Sequence, residues 1–203
     1  MTQNNFLIIG ITGITGSGTS TVAKILETHG GFVITADKLA HEVMGKGENA
    51  YAEIVKFFGK GILDDENNNE INRRALGTLV FGTENKAKLE RLEQIIHPHV
   101  IAKIMTHIEE AKASGKYNFA VIDAPLLIES GLNAICTITC LVTASEPTRI
   151  TRIINRDNID EITAKHRLQS RKGDEFLRPH ADVVIENNSD LTTLRQSISK
   201  ELL

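Results

Sequence analysis

Aromatic side chains make up only 4% of this chain, and its formal charge is -3 rather than positive. A protein that coats nucleic acid needs a basic surface and rings on which bases stack, so that class is set aside. Two cysteines, Cys136 and Cys140, are too few for a disulfide framework. They fall in the β-branched run 135–142, where as i and i+4 of one strand they share a face. We read them as reduced core thiols, because an isolated C-x-x-x-C lacks further ligands for a metal. No apolar stretch approaches the roughly 18 residues of a membrane span. The N-terminus, Met1-Thr2-Gln3-Asn4-Asn5, has neither a cationic start nor a cleavage signal, so the cytoplasm is the expected compartment. Internal repeats and low-complexity tracts are missing too. What remains is an ordinary soluble composition, 41% hydrophobic and 24% charged, with room in 203 residues for one sizeable core.

Apolar runs ending at glycines or acids mark five strands, over 6–11, 32–35, 119–123, 137–143 and 182–185. A helix follows the first strand over 21–29, with Val22, Ala23, Ile25 and Leu26 at helical spacing and Gly30-Gly31 as its stop. Strand, glycine loop, helix, strand implies a parallel sheet with right-handed crossovers. The middle of the chain is mostly helical: 37–44, 50–58, 73–80 and 85–96, then a break at Pro98 and a further helix over 99–113. The acidic, asparagine-rich stretch 64–70 lacks the glycine a calcium loop needs at its sixth position, and we take it as a solvated turn. A charged helical stretch covers 148–178, and a last helix covers 191–203. The expectation is one α/β core with two helical insertions.

Between the first strand and helix, Gly13-Ile14-Thr15-Gly16-Ser17-Gly18-Thr19-Ser20 fits the phosphate-loop template G-x-x-x-x-G-K-[S/T] at all but one position. Its glycines let successive amides turn inward on an anion, and the helix start adds a positive dipole end. Ser20, with Thr21 beside it, offers the hydroxyl that normally binds Mg²⁺. The exception is Thr19, where the template has the lysine that reaches the β- and γ-phosphates. Three explanations compete. Another cation substitutes, from a lid arginine or Lys24; or turnover is slow; or the chain binds nucleotide without turning it over.

The loop Gly10-Ile11-Thr12-Gly13-Ile14-Thr15-Gly16-Ser17-Gly18 resembles that of the bacterial dephospho-coenzyme A kinases. The resemblance continues through Val33 to His41, Phe58-Gly59, Ile71 to Leu76, Val80-Phe81, His97-Pro98, Pro125 to Glu129, Arg156-Asp157 and Ala181 to Asn187, covering essentially the whole chain. It implies a three-layer P-loop kinase fold: a parallel five-stranded sheet, a helical substrate-binding insertion and a helical lid. The domains would be a nucleotide-binding core of 1–37, 117–146 and 180–203, an acceptor-binding insertion of 38–116, and a lid of 147–179. The implied reaction moves the γ-phosphate of MgATP onto the ribose 3′-hydroxyl of dephospho-coenzyme A. Its partners would be these two small molecules, with no nucleic acid and no membrane, in a monomer or small homo-oligomer.

By resemblance Asp37 is the catalytic base, and a carboxylate at a strand's carboxyl end faces the crevice where such sheets bind ligands. The competing reading of Asp37 is a plain helix N-cap. His41, one helical turn on, and Arg73 in the insertion would hold the acceptor, a surface role being the alternative for His41. Asp123, ending the third strand, acts on Mg²⁺ through water or is a turn residue before Pro125. Arg149, Arg152, Arg156, Arg167 and Arg171 crowd the lid, either as a solvated face or as the source of the missing charge, with Arg152 taken as catalytic. Besides Thr19, departures from the family pattern are Thr35 before the base, the longer 65–70 turn and the divergent 169–175 segment. Two other functions stay open: a kinase for another small nucleotide, and a nucleotide-binding protein without activity.

Overall fold

The computed structural model describes residues 6–64, 67–169 and 173–203. The expected features at Met1 to Asn5, at Asp65 and Glu66, and at Arg171 fall outside these. The chain divides into two compact units, one of Met1–Thr35 with Ile108–Leu203 and one of Ala36–His107.

The first unit is built on five parallel strands: β1 (Leu7–Thr12), β2 (Gly31–Thr35), β5 (Phe119–Asp123), β6 (Ile138–Thr143) and β7 (Val183–Glu186). Their order is β2-β5-β1-β6-β7, all neighbours parallel. The expected α/β class and five-stranded sheet are borne out, with strand ends shifted by one residue. Alternate residues of the strands, Ile9, Ile11, Val121, Cys140, Val142 and Ile185, form one buried cluster with helices α1 (Thr19–Thr28) and α9 (Leu191–Leu202). Helix α1 supplies Val22, Ala23, Ile25 and Leu26 while Lys24 and Glu27 stay exposed, which is the amphipathic pattern read from the sequence. Asp190 caps α9 by accepting from the amides of Thr192 at 2.8 Å and Thr193 at 3.0 Å. Chain order reverses on either side of β1, so the loop leaving β1 sits at the sheet's topological switch point.

The second unit holds α2 (Ala36–Val43), α3 (Asn49–Phe58), α4 (Arg73–Val80) and α5 (Lys86–Ser114) as far as His107. A two-stranded hairpin of β3 (Leu63–Asp64) and β4 (Glu70–Ile71) flanks the turn expected there, whose residues 67–69 are exposed. Its Asn68 and Asn69 take left-handed backbone angles, which asparagine tolerates better than most residues. They are fastened to the unit: Lys46 Nζ donates to the Asn68 carbonyl at 2.9 Å and the Tyr51 hydroxyl to that of Asn69 at 2.6 Å.

Two expectations are corrected. Pro98 does not end a helix, because α5 runs through it from Lys86 to Ser114. An interior proline costs about 3 kcal/mol through its lost N–H and ring clash. Leu92, Ile95, Val100, Ile104, Ile108 and Ala111 are buried on either side of it, and burying side chains of this size at about 1.5–3 kcal/mol each outweighs the break. Pro98 and Gln94, whose carbonyl loses its helical donor, both face solvent, where water can take the donor's place. Cys136 is not in a strand. It ends the short 3-10 turn Leu132–Ile135, its thiol donating to the Leu132 carbonyl, while Cys140 alone lies in β6. Both cysteines are free. Burial pushes each thiol up to about 12, with the Asp182 charge adding to the shift at Cys136. Among the described residues, no helix is long and apolar enough to cross a membrane.

Candidate active site

Strand β1 ends at the fully buried Thr12, and the chain turns through Gly13 to Gly18 into α1. Ser17 N donates to the Ile14 carbonyl at 3.0 Å, closing a tight bend. Gly16 and Gly18 have φ of 84° and 97°, a region other residues enter only with strain. Gly18 is the N-cap of α1 and brings no side chain to the helix's first turn, where the Thr21 amide donates to the Gly18 carbonyl at 3.0 Å and no capping side chain competes for the amides ahead of it. Ser17 is 1% exposed, and its Oγ has no hydrogen-bond partner among the described residues. Thr19 opens α1 and contributes no charge. Ser20 Oγ stands 3.5 Å from Asp123 Oδ2, beyond normal O–H···O length, and Asp123 at the end of β5 is 7% exposed.

A clamp holds the loop from behind. Arg152 lies on α6 (Glu146–Asp157), and its Nη1 donates to the carbonyls of Gly16 at 3.2 Å and Ser17 at 3.1 Å. Its Nη2 donates to the Asn187 carbonyl at 3.0 Å and Oδ1 at 3.4 Å. Asn187 follows β7, is 5% exposed, and donates from Nδ2 to the Ser17 carbonyl at 2.8 Å. Its amide donates to the Thr143 carbonyl at 2.8 Å, so strand β6 fixes its place. Asn188 accepts from Ser145 N at 2.7 Å just before α6 begins. The side chain of Asn187 explains Gly18 a second time, because a Cβ there would stand 2.3 Å from Nδ2.

Two further lid arginines are engaged elsewhere. Arg156 grips Asp157 with Nε at 2.7 Å and Nη2 at 3.0 Å, and Arg167 of α7 (Glu161–Gln169) bonds the same carboxylate. These hydrogen bonds, from Arg156 first, hold the Asp157 carboxyl below the usual carboxylate range. Lys24 is exposed on α1.

In the second unit, His41 of α2 and Arg73 of α4 meet: Arg73 Nη1 donates to His41 Nδ1 at 3.0 Å. Arginine keeps its protons, so His41 is assigned the tautomer with the proton on Nε2. Asn72 fixes the start of α4 by accepting from the amides of Arg74 at 3.1 Å and Ala75 at 3.0 Å. Asp37 is exposed and is the second residue of α2, inside the helix's first turn and past the N-cap position. His97 stays within α5, while its neighbour His99 contacts Glu53 at 2.9 Å through Nε2.

The sequence model of the dephospho-CoA kinase family matches residues 7–193. This chain belongs to the dephospho-CoA kinase family. A relative from Fusobacterium nucleatum named dephospho-CoA kinase is 38% identical over 196 residues, 97% of this chain and 97% of its own. Among solved structures, a Thermus thermophilus protein superposes with a TM-score of 0.77 at 30% identity, covering 96% of this chain and 95% of that one. A dephospho-CoA kinase from Campylobacter jejuni gives a TM-score of 0.67 at 29% identity, covering 95% and 94%.

Within this family member the phosphate loop is built almost wholly from backbone. Sequence reading singled out the loop, Ser20, Asp123, His41 and Arg73, and placed no role on Asn187. The available signal was its position, a polar residue directly after an apolar strand at the carboxyl edge of the sheet. As donors for a hard divalent ion, a hydroxyl and a carboxylate on adjacent elements are chemically suited to Mg²⁺, which keeps waters and takes further oxygens from phosphates. No group of three or more His, Cys, Asp or Glu side chains that could hold a metal ion occurs among the described residues.

Proposed function

We propose that this chain transfers the γ-phosphate of ATP to the ribose 3′-hydroxyl of dephospho-CoA in the cytoplasm, giving CoA and ADP, the last step of CoA biosynthesis. The observation that carries this reading is the glycine loop at the switch point of a parallel sheet, leading into a helix with no side-chain cap, in a chain of this family. The acceptor oxygen attacks the γ-phosphorus, the bond from that phosphorus to the bridging β,γ oxygen breaks, and ADP departs with the electron pair. The hydroxyl proton passes to the Asp37 carboxylate. Loop amides hold the β- and γ-phosphates, with Ile14 and Thr15 contributing backbone and Thr21 flanking Ser20. Ser20 and Asp123 are the residues that would hold Mg²⁺, whose chemistry is to offset phosphate charge. His41 and Arg73 bind the acceptor's phosphate groups through a planar, charge-assisted contact.

Arg152 was expected at the phosphates, and its Nη1 and Nη2 donors go to Gly16, Ser17 and Asn187. We assign it a positioning part: it keeps the loop in shape and puts a fixed positive charge beside it. The test is incubation with MgATP and dephospho-CoA, following CoA by mass, with Asp37→Asn alongside. We expect product from the wild type and a loss of about 10²–10⁴-fold in kcat for Asp37→Asn. Nucleotide bound by the wild type with no CoA formed would overturn the reading.

A further inference from the structure

The phosphate loop lacks its cation, since Thr19 stands first in α1 where the template has lysine. Phosphoryl transfer leans on positive charge at the β- and γ-phosphates, so a working member of the family needs a substitute. The obvious candidates are spent or misplaced. Arg152 gives Nη1 and Nη2 to loop and Asn187 oxygens, and Arg156 and Arg167 are both on Asp157. Lys24 lies five residues beyond Thr19, which on a helix is about 140° around and about 7.5 Å further from the loop.

Arg149 differs from all of these. It sits in the first turns of α6, and its backbone packs directly on the loop: a Cβ on Gly16 would stand 2.9 Å from the Arg149 carbonyl oxygen and 3.0 Å from its Cα and Cβ. Its Nε is buried and, among the described residues, has no hydrogen-bond partner. Buried polar groups are nearly always satisfied, and a guanidinium N–H without an acceptor is unfavourable in the protein by itself. It becomes favourable when an anion accepts from it. The loop itself holds another buried donor without a partner among the described residues, the Ser17 hydroxyl. Two such groups at one loop, one of them cationic, point to the same occupant.

We infer that Arg149 supplies the positive charge to the terminal phosphates of ATP that Thr19 lacks. The charge has moved from the start of α1 to the start of α6, across the backbone contact at Gly16. A guanidinium suits the position, since its planar fork can meet two phosphate oxygens at once. This inference rests on the kinase reading, and the two fail separately.

The experiment compares wild type, Arg149→Ala, Arg149→Lys, Thr19→Lys and Arg149→Ala/Thr19→Lys as full chains. Turnover is measured with MgATP and dephospho-CoA, and binding of ATP, ADP and AMP by calorimetry, with thermal melts to establish folding. Arg149→Ala should lose about 10²–10³-fold in kcat, with the KM for dephospho-CoA little changed. Adding Thr19→Lys should return most of that loss, and Arg149→Lys should fall between. Binding of ATP and ADP should weaken far more than binding of AMP. Full activity in Arg149→Ala, or equal weakening for all three nucleotides, would overturn the inference. No CoA from the wild type would overturn the kinase reading, and the ATP-against-AMP comparison would still decide the part of Arg149.

Discussion

The two units offer binding groups of opposite construction. At the glycine loop, the half-buried and buried side chains of Arg152 and Asn187 hold the backbone by bonding its carbonyls. In the second unit, Asp37, His41 and Arg73 are exposed side chains on helices, and Asn72 caps the start of the helix that carries Arg73. Residues of the first kind act through geometry, so their loss propagates to every amide of the loop. Residues of the second kind act through their own contacts, and their loss should stay local. Nature of contact and burial, more than distance from the chemistry, should set the size of a mutational effect.

The hardest test of that contrast is Asn187→Ala. It removes the bond to the Ser17 carbonyl and one acceptor of Arg152 in a site that is 5% exposed. Leaving buried partners unsatisfied costs about 1–3 kcal/mol of stability. We expect kcat/KM for ATP to fall about 10- to 100-fold, equivalent to about 1.4–2.8 kcal/mol of lost transition-state binding. The KM for dephospho-CoA should be nearly unmoved. An effect on dephospho-CoA with ATP unaffected would break the comparison.

Arg73→Ala should do the reverse and do less. Both Arg73 and His41 are exposed, so stability should stay within about 0.5 kcal/mol. The KM for dephospho-CoA should rise about tenfold, or about 1.4 kcal/mol, with kcat for saturating acceptor close to wild type. His41→Ala adds little on top of Arg73→Ala if the 3.0 Å contact makes them one unit, which steady-state kinetics of the double variant would establish.

The sheet, the loop and its one departure were legible because each is written locally. Five short apolar runs marked the strands, and the helical spacing of Val22, Ile25 and Leu26 followed directly. The clamp was not legible, because Asn187 meets Ser17 across 170 residues of sequence and nothing near either residue signals the other. The same limit applies to the arginines. Sequence grouped Arg149, Arg152, Arg156 and Arg167 as one charged stretch, while the fold sends the first two to the loop and the last two to Asp157. Helix α5 failed as a prediction for a different reason. The local rule at Pro98 was sound, and burial of side chains on both sides of it won.

The smallest effect expected is at Asp157, which lies in the loop's own unit, its side chain 18% exposed between two arginines that are 61% and 49% exposed. It therefore separates burial from location. Its carboxyl is held below the usual carboxylate range, chiefly by the hydrogen bonds of Arg156. A depressed folded value means the tie between α6 and α7 is fully present above the unfolded carboxylate pKa of about 3.9 and fades only as pH falls through the lower folded value. From neutrality to about pH 4, then, hydrogen exchange of the α7 amides should show no change from this group, and protection should fall below that. Asp157→Asn should remove the acid step while leaving kcat at neutral pH within about twofold, since exposed ion pairs contribute little. A loss of rate comparable to that of Asn187→Ala would mean that proximity to the loop, rather than burial, governs the size of the effect.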